Sequence, residues 1–254
     1  MKQLPNILTL GNLFCGALAI LCTLQSPAFV ASFANEQYLV TAPPPIYWAA
    51  VFIGIAAVLD FLDGFVARLL RVQSPIGAQL DSLADVITFG LAPGMILYAL
   101  LQQAYLQRPD AMDLSVVRLL PALLIPCFAA YRLARFNVDS RRQDLFYGVP
   151  TPAVGLFIGS FPLLQFYGPG FMAHWLAQPW VLYLLILLLC FLMVCNLPFF
   201  SLKVKNLSWK ANSLLYVLAG LTLISIPFLH WGAVAVCFFL YVLLSLGRFW
   251  RTPA

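Results

Sequence analysis

The feature that bounds this chain most tightly is a recurring apolar run of about 18 residues or more, long enough to cross a bilayer as a helix. Such runs fall at about residues 7–25, 46–70, 78–106, 115–137, 151–168, 177–200, 211–229 and 232–248. The connections between them are too short to hold a separate soluble domain. With 63% hydrophobic and only 9% charged residues, a soluble globular domain is excluded. The expected fold is all-α, a polytopic transmembrane helical bundle of about eight spans, with residues 1–254 forming one integral-membrane domain.

Charge placement orients such a bundle. The net charge is +5, which alone could point to nucleic acid. With the N-terminus inside and about eight spans, however, Lys2, Arg68, Arg71, Arg132, Arg135, Arg141, Arg142, Lys203, Lys205, Lys210, Arg248 and Arg251 all fall at inner ends. Only Arg108 and Arg118 fall outside. This is the positive-inside pattern, and no nucleic-acid partner is needed to explain the basic balance. No cleaved signal peptide is expected, because the first run follows only Lys2 and Pro5-Asn6 and lacks a small-residue cleavage site. Cys15, Cys22, Cys127, Cys190, Cys195 and Cys237 sit in apolar runs without metal-type spacing and read as small buried hydrophobes. His174 and His230 are far apart at segment ends, which gives no support to a His-based metal site or triad.

Against this background the stretch "AAVLDFLDGFVARLLRVQSPIGAQLDSLADVITFG", residues 56–90, stands out. It holds four of the nine acidic residues, Asp60, Asp63, Asp81 and Asp85. Carboxylates at membrane depth are costly and mark cavities, ion pairs or functional sites. Asp60 and Asp63 are spaced i, i+3, and Asp81 and Asp85 i, i+4, so each pair shares one helix face. Ser74 as N-cap and Pro75 at the first helical position predict a helix start between the two pairs. A short turn would bring the two faces together near the cytoplasmic surface.

Four converging carboxylates cannot all stay ionised without compensation, and divalent cations supply it economically. Oxygen-only ligands without His or Cys favour hard metals. Two such ions sharing carboxylates can clamp a phosphoryl group during in-line displacement. Gly64, Ala67 and Gly77 lie one helical turn from these acids and would leave room for a substrate against the backbone. The same pattern also suits a cation path through a transporter, and small residues also serve helix packing.

The order Asp60-x2-Asp63-Gly64-x2-Ala67-Arg68-x8-Gly77-x3-Asp81-x3-Asp85 resembles, at every defined position, the signature of the CDP-alcohol phosphotransferases. That resemblance implies a six-helix core at about 1–205, with extra C-terminal helices at about 211–248. It also implies transfer of a phospho-alcohol group from a CDP-linked donor to an acceptor hydroxyl, release of CMP, two divalent cations (Mg²⁺ or Mn²⁺) and a homodimer. The patches "LPNILTLGNLFCGALAI", "DSLADVITFGLAPG", "YRLARFNV", "FYGVPTPA" and "NLPFFSLKVK" resemble the branch that takes CDP-diacylglycerol as donor and L-serine as acceptor. The implied setting is a prokaryotic cytoplasmic membrane, with the active site facing the cytoplasm.

By this resemblance Asp60, Asp63, Asp81 and Asp85 bind metal, and Asp85 also acts as the general base toward the acceptor hydroxyl. Asp60, Gly64, Ala67, Arg68 and Gly77 serve CDP-diacylglycerol. Asn6 and Thr9, on one face of the first run together with Asn12, would line the same cavity, although helix packing also accounts for them. A serine carboxylate calls for a guanidinium fork. Arg135 is the first choice and Arg132 the second, with Ser82 and Asn137 as weaker polar contacts. For each arginine singly, a role as topology anchor is the alternative. Glycerol 3-phosphate or an inositol phosphate as acceptor is the runner-up within the same chemistry, and a cation-coupled transporter is the rival from another class.

Overall fold

The computed structural model describes residues 3–25, 29–33, 36–40, 46–70, 72, 74–108, 114–138, 146–199 and 209–251. Lys2, Arg71, Arg141, Arg142, Lys203 and Lys205 lie outside them, as do the side chains of Lys210, Arg248 and Arg251. The architecture is helical. Helix α1 (Leu4–Leu24) leads through a hairpin of β1 (Phe29–Phe33) and β2 (Glu36–Val40) to α2 (Ile46–Leu69). Next come α3 (Pro75–Asp85), a π-helical stretch at Val86–Leu91 and α4 (Ala92–Leu106), which together run as one 32-residue helix. Two 3₁₀ turns precede α5 (Leu124–Val138). A two-residue strand β3 (Phe146–Tyr147) is followed by α6 (Thr151–Gly159), α7 (Phe161–Tyr167), α8 (Gly170–Leu176) and α9 (Pro179–Val194). Strand β4 (Pro198–Phe199) pairs antiparallel with β3, and α10 (Trp209–Leu229) and α11 (Gly232–Arg251) close the chain.

Among the described residues α1, α2 and the helix Pro75–Leu106 are each long and apolar enough to cross a membrane. Helices α8 and α9 pass the same test together across an 80° bend. The burial pattern of α1 fits a lipid environment. Its buried positions include Thr9, Asn12, Gly16, Ala19 and Thr23, whereas Ile7, Leu10, Phe14, Leu21 and Leu24 point outward. Small and polar groups therefore face the bundle, and large apolar ones face the surroundings. Lipid tails are as apolar as leucine, so helices associate there through close backbone approach and interhelical hydrogen bonds.

The core lies around α4. Phe89, Ile96, Leu97 and Leu101 are fully buried with Ile125 of α5, Ile158 of α6 and Leu182, Ile186 and Leu189 of α9. Glycines set the spacing of the neighbouring helices. A Cβ on Gly94 would fall 2.9 Å from Pro126 Cδ, and one on Gly90 3.0 Å from Ala129 Cβ, so α5 rests directly on backbone there. Gly155 of α6 approaches Phe89 in the same way, with 2.8 Å left for a Cβ. Gly148 has φ +77°, a region that favours glycine, and any side chain there would strike the Met193 carbonyl at the end of α9.

Candidate active site

The site is built by three helix ends. Ser74 is extended and its Oγ accepts from the Gly77 N–H at 2.9 Å, with Pro75 in the first turn, so α3 starts where its sequence predicts. This start sets Asp81 and Asp85 against the end of α2. Carboxylate oxygens of Asp60, Asp63 and Asp81 all come within 4.8 Å of one another. Asp85 joins them through Asp60, which approaches both Asp81 and Asp85. The cluster spans two environments, with Asp63 and Asp85 buried and Asp60 and Asp81 partly exposed.

Helix α1, packed along α2 and α3, supplies neutral donors. Thr9 Oγ1 donates to Asp63 Oδ2 at 2.7 Å. Asn12, fully buried, reaches Asp85 Oδ1 from its Nδ2 at 3.5 Å, while its backbone carbonyl accepts from Thr88 Oγ1 at 3.2 Å. Neither donor carries charge, so both orient the carboxylates without neutralising them. One oxygen of the group, Asp81 Oδ1, is buried without a hydrogen-bond partner. Buried polar atoms are almost always paired, and an orphaned carboxylate oxygen beside two further carboxylates is the arrangement a cation completes. The donor set therefore fits a hard divalent ion held by oxygen ligands.

Over residues 2–191 the chain matches the family model for CDP-alcohol phosphatidyltransferases. The chain belongs to the CDP-alcohol phosphatidyltransferase family. It is an enzyme. A CDP-diacylglycerol–serine O-phosphatidyltransferase of Helicobacter pylori is 31% identical over 248 residues, covering 96% of this chain and 90% of the relative. One of the same name from Bacillus subtilis is 33% identical over 156 residues, 61% of this chain and 73% of the relative. An archaetidylserine synthase of Methanothermobacter thermautotrophicus is 31% identical over 166 residues, 65% of this chain and 59% of the relative.

In this phosphatidyltransferase the other residues singled out by sequence fall into distinct settings. At Gly64 a Cβ would meet only Arg68 Nη1, at 3.6 Å, an ordinary contact. Arg68 is exposed and Ala67 half-buried on the same stretch of α2. Gly77 differs. A Cβ there would lie 3.0 Å from Ser74 Oγ and 3.1 Å from Asn6 Oδ1, so its missing side chain makes room for the helix cap and for α1. Ser82 Oγ donates back to the Ala78 carbonyl at 3.1 Å and accepts from Asn137 Nδ2 at 2.9 Å, which ties α3 to the end of α5.

The two arginines of α5 part company. Arg135 Nη1 donates to the Val194 carbonyl at 3.1 Å, and its Nη2 donates to Asn196 Oδ1. Arg132 is buried, and its Nη1 donates to Thr151 Oγ1 at 2.8 Å. Thr151 and Thr88 escape a reading by sequence, since each is one threonine among apolar neighbours. Asn12 carries a usable signal, lying three residues beyond Thr9 on the same face of α1.

Proposed function

We propose that this enzyme transfers the phosphatidyl group of CDP-diacylglycerol to the hydroxyl of L-serine, giving phosphatidylserine and CMP. The observation that carries the reading is the oxygen-only cluster of Asp60, Asp63 and Asp81, with Asp85 beside it. The choice of serine is supported by likeness to the Helicobacter pylori enzyme over 96% of the chain.

Asp60, Asp63, Asp81 and Asp85 would hold two divalent cations, Mg²⁺ or Mn²⁺, which when bound supply positive charge against the pyrophosphate and the departing CMP. The serine oxygen attacks the phosphorus that bears diacylglycerol. A phosphorus–oxygen bond forms to serine, and the one to CMP breaks with its electrons on the CMP phosphate. Asp85 takes the hydroxyl proton as that bond forms. Asn12, donating to Asp85 Oδ1, orients the carboxylate for this transfer. Thr9 fixes Asp63 in the same way. Gly64 and Ala67 leave the flank of α2 low enough for the cytidine, and Arg68 offers a cation for a donor phosphate. Asn6 and Gly77 hold the rim where α1 meets α3.

In this reading the bundle crosses the membrane about eight times and works as a homodimer. The Asp cluster opens to the cytoplasm of a prokaryotic cell, and the lipid donor enters sideways from the bilayer. The test is CMP release by purified, chelator-stripped protein given CDP-diacylglycerol, with or without L-serine and with Mg²⁺ or Mn²⁺ restored. Release that needs both serine and metal supports the reading. Release only with glycerol 3-phosphate or an inositol phosphate replaces the acceptor, and no release with any alcohol removes the reaction altogether.

A further inference from the structure

Arg132 presents a physical problem that its neighbours do not solve. The side chain is only 8% exposed, and its Nε is buried without a hydrogen-bond partner. Among the described residues its contacts include Thr151 Oγ1, which takes one N–H from Nη1 at 2.8 Å, and the Phe136 ring, 5.9 Å from the guanidinium carbon, and Tyr241 lies within electrostatic reach. Burying a guanidinium while leaving a donor unsatisfied is costly. A carboxylate placed against the Nε edge of the guanidinium would remove that cost through a charge-assisted hydrogen bond. The guanidinium also lies within electrostatic reach of Asp85. A molecule held by its carboxylate on this edge would therefore sit beside the group proposed to take the hydroxyl proton. Arg135 is not available for the same work, because its fork is already engaged by Val194 and Asn196.

We infer that Arg132 receives the carboxylate of the acceptor amino acid, and that Thr151 is a positioning residue that holds the guanidinium with its Nε edge toward the site. This rests on the reaction proposed above and reverses the order of the two arginines expected from sequence. Thr151, fully buried at the first turn of α6, is bound to Arg132 from across the bundle. It touches neither reacting atoms nor acceptor, so its effect must act through the arginine.

The test compares L-serine with serinol, which keeps the amine and hydroxyl but lacks the carboxylate, in full-length protein with Mg²⁺. Arg132→Lys and Thr151→Val are each expected to raise KM for L-serine about 10- to 100-fold, the span of one or two charge-assisted hydrogen bonds. KM for CDP-diacylglycerol should stay near the wild-type value, and the preference for L-serine over serinol should collapse. Thr151→Ser, which restores the hydroxyl, should restore the preference. Unchanged serine KM and selectivity in both Arg132→Lys and Thr151→Val would overturn the inference while leaving the reaction standing. So would equal rises in KM for serine and CDP-diacylglycerol, which would make the pair structural. Wild-type protein that turns over serinol as readily as serine would overturn the inference alone, and protein that never uses serine would overturn both.

Discussion

Thr9 of α1 and Asp63 of α2 are joined by a 2.7 Å hydrogen bond across 54 residues of sequence. The first helix is therefore part of the carboxylate site rather than a neighbour of it. A hydrogen bond to a charged acceptor is worth about 1.5–3 kcal/mol. Thr9→Val keeps the volume and loses the donor. The Mg²⁺ concentration giving half-maximal CMP release is expected to rise about 10-fold, with kcat at saturating metal largely kept. A metal titration unchanged by the substitution would refute the link.

Asp85 and Asp63 occupy the same cluster, but the proposed reaction asks different things of them. Asp85→Asn keeps the shape and removes the proton acceptor, so kcat should fall about 10²- to 10⁴-fold while KM for CDP-diacylglycerol changes little. Asp63→Asn should act instead through the metal requirement. Steady-state kinetics at several Mg²⁺ concentrations separates the two. Full rescue of Asp85→Asn by excess metal would show that it acts only as a ligand.

Stability should register the cation independently of activity. In metal-free protein the converging carboxylates repel one another, and a ligand bound only by the folded state stabilises it by about 2.7 kcal/mol at a hundred times its Kd. Thermal unfolding in detergent is expected to shift upward when Mg²⁺ is added to chelated protein. Asp81→Asn should start from a higher metal-free Tm and lose most of that shift. A Tm indifferent to Mg²⁺ in the wild type would count against the cluster as a cation site.

Packing on the π-helical stretch gives a purely structural prediction. A Cβ at Gly155 would come within 2.8 Å of Phe89, whose side chain is fully buried, whereas one at Gly54 meets nothing within 4 Å. Gly155→Ala should cost about 1–3 kcal/mol through overpacking, and Gly54→Ala should be neutral or slightly stabilising. Comparison of their Tm values checks both, and equal values would contradict the close approach of α6.

Sequence spacing made the centre of this site readable and left its edges dark. The two Asp pairs and the Ser74-Pro75 start are local, periodic signals. Helix geometry alone brings their side chains to one face, so reading them required no tertiary knowledge. Asn6, Thr9 and Asn12 were readable as a polar stripe, although which carboxylate each would meet depends on how α1 packs. The Arg132–Thr151 bond was illegible. The helix turn that brings Thr151 back to α5 follows residues with no periodic signal, and both arginines carried the same charge and the same nominal anchor role. Gly77 was read as space for substrate, since a glycine's spacing does not say which neighbour fills it. The likeness in helical content was clear from the apolar runs, while α8 and α9 meet at an 80° bend that hydropathy alone does not register.

The π-helical stretch at Val86–Leu91 begins on the residue after Asp85 and ends just before the tightly packed start of α4. Such a stretch carries surplus chain relative to an α-helix. Each α-helical residue turns the axis by about 100°, and each residue of the wider turn by less, so the stretch takes up about one extra residue while the carboxylate end and the core-packed end of this one long rod stay in phase. Removing a single residue from Val86–Leu91 would thus let the turn close to α-helical geometry, with Asp81 and Asp85 keeping their bearing away from the side where Leu83 lies 64% exposed. The slack sits between the acids and the core, where it can be taken in without turning one against the other.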